Sequence, residues 1–131
     1  KEKKNLNEIN VEGIVPSPDR NQMLILQAIG SEIALIICDG DGNKINTIAE
    51  GTEVTGTSWS PDQRMIAYTL KSVVNGTTSS GLYIYDVLID KSVQIAVDIA
   101  GAKTSWSPSG KKLAVAEMAA DGYNSSIIYL R

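Results

Sequence analysis

Apolar residues fall in short bursts along the chain. QMLILQA (22–28), EIALIIC (32–38), RMIAYTL (64–70), GLYIYDVL (81–88), VQIAV (93–97), KKLAVAEM (111–118) and SSIIYL (125–130) are each closed by Gly, Pro, Asn, Asp or Ser clusters. No stretch keeps apolar residues at spacings of three, four and seven for a dozen positions without a Gly or polar break, so the pattern predicts strands throughout. The bursts also repeat. TSWSP stands at 57–61 and again at 104–108, and a weaker copy, IVPSPD, occupies 14–19.

The prolines Pro18, Pro61 and Pro108 are separated by 43 and then 47 residues. Periods of about 40 to 50 residues that enclose several strands are the signature of propeller blades, each an antiparallel sheet of about four strands. The second unit supplies four runs: VTGTSW, RMIAYTL, GLYIYDVL and VQIAV. The first supplies EGIV, QMLILQA, EIALIIC and KINTIAE, and the third only AKTSW, KKLAVAEM and SSIIYL. In Ser-Pro-Asp-Gln, proline presets φ for a type I turn and Asp62 can accept a local backbone N–H. In Ser-Pro-Ser-Gly, Gly110 supplies a position tolerant of left-handed backbone instead. Both turns read as links between the first and second strands of a blade.

The pattern T-S-W-S-P-D, then an alternating I-A-Y strand, then L-Y-I-Y-D resembles the WD-like Pro-Asp repeat of TolB-like β-propellers. The resemblance covers residues 11–131, with Ser109 replacing Asp in the third unit and Val15-Pro16 standing where the other units have Ser-Trp. It implies an all-β fold of four-stranded blades, laid down from the central axis outward, at 11–50, 51–98 and 99–131. It also implies that Trp59 and Trp106 end the inner strands and wedge between neighbouring blades.

Three blades do not close a ring, since propellers have about 4 to 8, and the first and last blades are expected to expose an apolar face each. Unit three lacks its outermost strand, while residues 1–10 hold a polar β-capable segment, KNLNEIN, able to act as a closing strand. Two arrangements follow. A homodimer could complete a six-bladed ring by strand exchange, or the chain could be half of a longer propeller.

Composition narrows the function. Of 131 residues, 43% are hydrophobic and 21% charged, and the net charge is −3, the profile of a globular domain. Lys and Arg cluster only at Lys1-Glu2-Lys3-Lys4, too few to neutralise a phosphate backbone, so no nucleic acid partner is expected. No apolar stretch reaches the roughly 18 residues of a membrane span. The absence of a leader at the start carries no weight, because leaders are removed. The single cysteine, Cys38, lies in IALIIC and reads as a buried hydrophobe.

The chain has no histidine, which removes His-dependent triads and His-built metal sites, and no G-x-S-x-G elbow appears. No enzyme activity and no cofactor are expected. Asp39, Asp41, Asn43 and Glu50 match calcium-loop positions 1, 3, 5 and 12, but Lys44 replaces the required glycine and the flanks read as strands. A hairpin turn that binds no metal is the preferred reading. Asp86 and Asp90 flank another turn, and the sequons at Asn75 and Asn124 mark polar loops.

Loops between second and third strands share one face with the blade-to-blade connections. On that face, 71–80 (KSVVNGTTSS) reads as a long polar loop, and 119–124 (AADGYN) as a shorter one. Asn75, Thr77, Thr78, Asp121 and Tyr123 are the candidate binding residues, suited to a protein or peptide partner. Two functions fit: a non-enzymatic binding scaffold of the TolB-like type, set outside the cytoplasm in the periplasm or cell envelope, or the non-catalytic propeller of a prolyl-oligopeptidase-like serine peptidase.

Overall fold

The computed structural model describes residues 11–99, 101–119 and 122–129; the expected closing strand at 1–10 lies outside them. The first sheet is a meander of β1 (Val11–Pro16), β2 (Gln22–Ile29), β3 (Glu32–Asp39) and β4 (Lys44–Gly51). The second contains β5 (Glu53–Trp59), β6 (Met65–Val74), β7 (Thr77–Asp86) and β8 (Lys91–Val97), and the third β9 (Lys103–Trp106), β10 (Lys112–Ala119) and β11 (Gly122–Tyr129). Each sheet pairs its strands in chain order, all antiparallel, and no helix occurs among the described residues. The all-β expectation and the four-stranded blades are therefore met, the third sheet having three strands.

Why the central strands carry unbroken apolar runs follows from alternation. Successive side chains point to opposite faces, and here both faces are covered. On β3, Leu35 and Ile37 join Leu24 in a core with Val54, Trp59, Ile66, Tyr68 and Tyr85 of the second sheet. On β6 and β7, the interleaved Ala67, Leu82 and Ile84 face the third sheet and pack against Ala102, Leu113 and Val115.

One hydrogen bond repeats between sheets. The Trp59 indole N–H donates to the Val15 carbonyl at 3.2 Å, and the Trp106 indole N–H to the Ser58 carbonyl at 3.1 Å. Val15 and Ser58 hold the same place in their units, just before the position of Pro16 and Trp59. The Ser58 and Thr104 hydroxyls meet at 2.6 Å, and the Thr104 hydroxyl also donates to the Gly56 carbonyl. Gly56 is required there: its φ is +63°, and a Cβ would lie 2.7 Å from the Ala102 carbonyl oxygen.

The Ser-Pro turns form one device built three times. Ser17, Ser60 and Ser107 each accept, at the side-chain oxygen, the N–H five residues on. The fourth turn position has positive φ in every copy: Arg20, Gln63 and Gly110. Asp19 and Asp62 accept from the serine hydroxyl and from the N–H of Asn21 or Arg64. The Asn21 amide, with Gln63 and Ser17, holds the Asp19 carboxyl below its ordinary range, and Ser60 and the Arg64 amide do the same for Asp62.

Three expectations need correction. Residues 71–80 are not a loop: strand pairing continues to Val74↔Thr77. Asn75 and Gly76 both have positive φ, the two-residue hairpin turn that Asn-Gly favours, and flanking Val and Thr extend the strands. The β10–β11 pairing likewise runs to Ala119↔Gly122, so Ala119 and residues 122–124 stand in paired strands and not in a loop. Finally, the first sheet does not expose an apolar end face, because Ile25, Ala34, Ile36 and Cys38, on the side away from the second sheet, are all buried.

Trp59→Phe keeps an aromatic ring but strands the Val15 carbonyl, and is expected to cost about 1–2 kcal/mol in urea unfolding. Trp106→Phe should cost less, since its ring is only half-buried. Acid tests the turns. Because the folded pKa of Asp62 lies below the model-peptide value of 3.8, its stabilisation is present above that pH and is lost as pH falls through the folded pKa. Asp62→Ala should therefore lower the urea midpoint at about pH 7, with the gap to the unsubstituted chain closing toward about pH 2.

Candidate functional site at the strand ends

A meander sends its connections alternately to opposite ends. One end holds the three Ser-Pro turns together with the turns after β3 and β7. The other end holds the β2–β3, β6–β7 and β10–β11 hairpins and the crossovers between sheets. The candidate residues divide between these ends.

The β6–β7 hairpin is the distinctive feature of its end. Its strands are ten residues long where β2, β3, β10 and β11 have eight. Two extra residues carry the tip about 7 Å further. A Cβ placed on Gly76 would meet nothing within 4 Å, so the tip stands clear of the body. Asn75, Thr77 and Thr78 are exposed there. Val73 and Val74 are 46% and 64% exposed. The Val73–Thr78 and Val74–Thr77 pairs face opposite sides, so each side presents one valine and one threonine. Tyr123 lies on β11 opposite Met118, at the same end but in the next sheet, and Asp121 lies outside the described residues.

The calcium-spaced residues sit otherwise. The Asp39 carboxylate accepts the N–H groups of Asp41 and Asn43, each at 2.9 Å, and the Asn43 side-chain amide at 3.2 Å. Its lone pairs are used to shape the turn. Glu50 pairs with Ala34, five positions along β3 from Asp39, or about 17 Å away. Spacing in the chain thus does not become proximity in space, and no group of three His, Cys, Asp or Glu side chains converges among the described residues.

Several polar pairs look chemically suggestive and are fully engaged. Ser17–Asp19 and Ser60–Asp62 join a hydroxyl to a carboxylate at 2.9 and 2.7 Å. The hydroxyls are buried, and the lowered carboxyl pKa values make both acids poor bases. Across the seam between the first two sheets, Asp90 accepts from Tyr85 at 2.7 Å and from Asn46 at 2.5 Å. Burial, followed by the bond to Asp90, pushes the Tyr85 phenol up to about 12. Arg64 forks onto Asp86 at 3.1 and 3.3 Å, which lowers the Asp86 pKa.

An open cleft of about 350 Å³ between the ends of β1 and β5 escapes sequence reasoning. Pro16, Pro18, Arg20, Thr57 and Trp59 line it. Its only sequence signal is the departure at Val15-Pro16.

No protein-family model matches the chain. Over 76 residues it is 34% identical to dipeptidyl-peptidase 5 of Porphyromonas gingivalis, a stretch covering 53% of this chain and 11% of that protein. TolB from Acinetobacter baumannii superposes with a TM-score of 0.68 at 15% identity, over 92% of this chain and 30% of that one. The β-propeller domain of the Trilobed protease from Pyrococcus furiosus gives 0.66 at 14% identity, over 90% of this chain and 40% of that one. The chain thus spans less than half of each of these proteins. The three sheets thus share the β-propeller blade fold with TolB and with that protease domain.

Calorimetric titration tests the turn at 39–43. No saturable heat is expected from calcium at about millimolar concentration, the weak end of calcium-loop affinities; heat that disappears in Asp41→Ala would contradict this reading.

Proposed function

We propose that the chain is a non-enzymatic binding scaffold of the TolB-like kind, working in the periplasm or cell envelope and presenting the β6–β7 hairpin to a protein or peptide partner. The observation that carries this reading is the two-residue extension of that hairpin beyond its counterparts, with Val73 and Val74 exposed around Asn75. An isolated exposed valine needs no explanation, but apolar side chains held at a projecting tip form a contact surface on a rigid support. Thr77 and Thr78 add hydroxyls on both sides, and Tyr123 extends the same end into the next blade. The engaged Ser–Asp pairs, and the absence of histidine from the chain, favour binding over catalysis.

A second reading has its own support. The likeness to dipeptidyl-peptidase 5 and to a protease's propeller domain fits a non-catalytic propeller of a serine peptidase, in which the same hairpin end would meet a hydrolase domain. A G-x-S-x-G serine with later Asp and His, encoded downstream in the same gene, would decide for the peptidase.

The hairpin is tested by retention of envelope proteins from the source organism on the immobilised chain. Val74→Asp should reduce the specifically retained partner about tenfold, a loss of about 1.4 kcal/mol. Val93→Asp, at a similarly exposed valine on β8, should not. Equal retention by both variants would remove the hairpin from the interface.

A further inference from the structure

The tip of the β6–β7 hairpin carries a reactive pair. Asn75 and Gly76 fill the turn with φ of +52° and +77°, and pairing ends at Val74↔Thr77, so the Gly76 N–H lies in the two-residue loop, outside the ladder. That nitrogen directly follows a residue bearing a side-chain amide, and Gly76 has no Cβ to shield it. A Cβ built there would meet nothing within 4 Å, so no neighbouring element hinders the approach either. The other asparagines with described side chains are held. Asn21, Asn43 and Asn46 donate their amides to Asp19, Asp39 and Asp90, and each precedes a residue with a Cβ. The Asn75 amide has no such partner among the described residues. The Asp-Gly pairs at 39–40 and 41–42 present carboxylates, poorer electrophiles than an amide, and Asp39 is further held by the N–H groups of Asp41 and Asn43.

We propose that Asn75 is a site of spontaneous deamidation, reached through opening of the hairpin tip. The Gly76 nitrogen bonds to the Asn75 Cγ, the bond from Cγ to Nδ2 breaks, and the Gly76 N–H proton leaves with Nδ2 as ammonia. The product is a cyclic succinimide. Water then adds at either ring carbonyl: addition at Cγ yields aspartate, and addition at the backbone carbonyl carbon yields isoaspartate, whose chain runs through Cβ and Cγ. A water enters and an ammonia leaves, with no change of oxidation state. The left-handed turn must first relax to bring the nitrogen over Cγ. Little opposes this, because opening breaks the Val74–Thr77 and Val73–Thr78 pairs, whose side chains are all exposed. Isoaspartate adds a backbone atom to a loop whose length sets the register, so the outer pairs do not re-form, and either product places a negative charge beside Val74. The site rests on the geometry of the hairpin and not on its binding role; under that role, the aged chain loses partner contact at Val74.

Peptide mapping by mass spectrometry, on the 131-residue chain held in mildly alkaline buffer, tests the site. Asn75 is expected to convert at least about tenfold faster than Asn21, Asn43 or Asn46, with isoaspartate among the products. Gly76→Ala should slow conversion at least about tenfold. Its Cβ also strains the left-handed turn and favours opening, so a slower rate isolates access to the nitrogen. Opening is read in a chain carrying Val73→Cys and Thr78→Cys, the pair next to the one that closes the ladder, whose Cα atoms come close enough for a disulfide. The oxidised form should convert at least about tenfold more slowly than the same protein reduced, with urea midpoints reporting that both are folded. Conversion at Asn75 no faster than at the other three asparagines overturns the site. An unchanged rate in Gly76→Ala overturns ring closure, and equal rates in the oxidised and reduced forms overturn the route through the open tip.

Discussion

The indole-to-carbonyl hydrogen bond at each seam ties one blade to the next. A four-stranded sheet with two apolar faces is not stable alone, because each face must be removed from water. Burial without direction would let neighbouring sheets slide. The Trp59 and Trp106 N–H groups fix the stagger, each finding a carbonyl one repeat back, and each ring adds apolar area to the same seam. The close approach of chains at Gly56, the Ser58–Thr104 hydroxyl pair and the small Ala67 are the accommodations that this geometry demands.

The Ser-Pro turns show how one backbone shape is reached by different chemistry. A left-handed residue costs about 1 kcal/mol or more unless it is glycine. Where Arg20 and Gln63 occupy that position, an aspartate at the preceding position gathers the serine hydroxyl and a following N–H, which offsets the cost. Where Gly110 stands there, the cost is absent, and Ser109, with weaker bonds at 3.3 Å, suffices. The departure from Pro-Asp in the third unit is thus compensated one residue later.

Under the proposed function, this arrangement separates support from recognition. At the Ser-Pro end, carboxylates and hydroxyls are consumed in closing turns and joining blades. At the other end, the β6–β7 hairpin extends into solvent with none of its tip residues needed for packing. A rigid body with one projecting hairpin suits contact with another macromolecule better than turnover of a small one.

The repeat, the strand bursts and the Ser-Pro turns were legible from the chain because they are local: proline, glycine and alternation act within a few residues. The propeller architecture followed from the 43- and 47-residue spacing of those turns. What the sequence could not decide were matters of partnership across distance. KSVVNGTTSS reads as a loop by its polarity, yet Val73, Val74 and the Asn75-Gly76 turn make it a hairpin, because cross-strand pairing outweighs composition. Asp39 and Glu50 have calcium-loop spacing, yet an extended strand carries them apart. The first blade was expected to expose an apolar face, yet Ile25, Ala34 and Ile36 there are buried; Cys38 beside them is buried as its place in IALIIC implied. The bond from Trp59 to Val15 and the cleft beside Pro16 belong to tertiary structure alone, since each depends on how residues about forty positions apart are brought into register by packing.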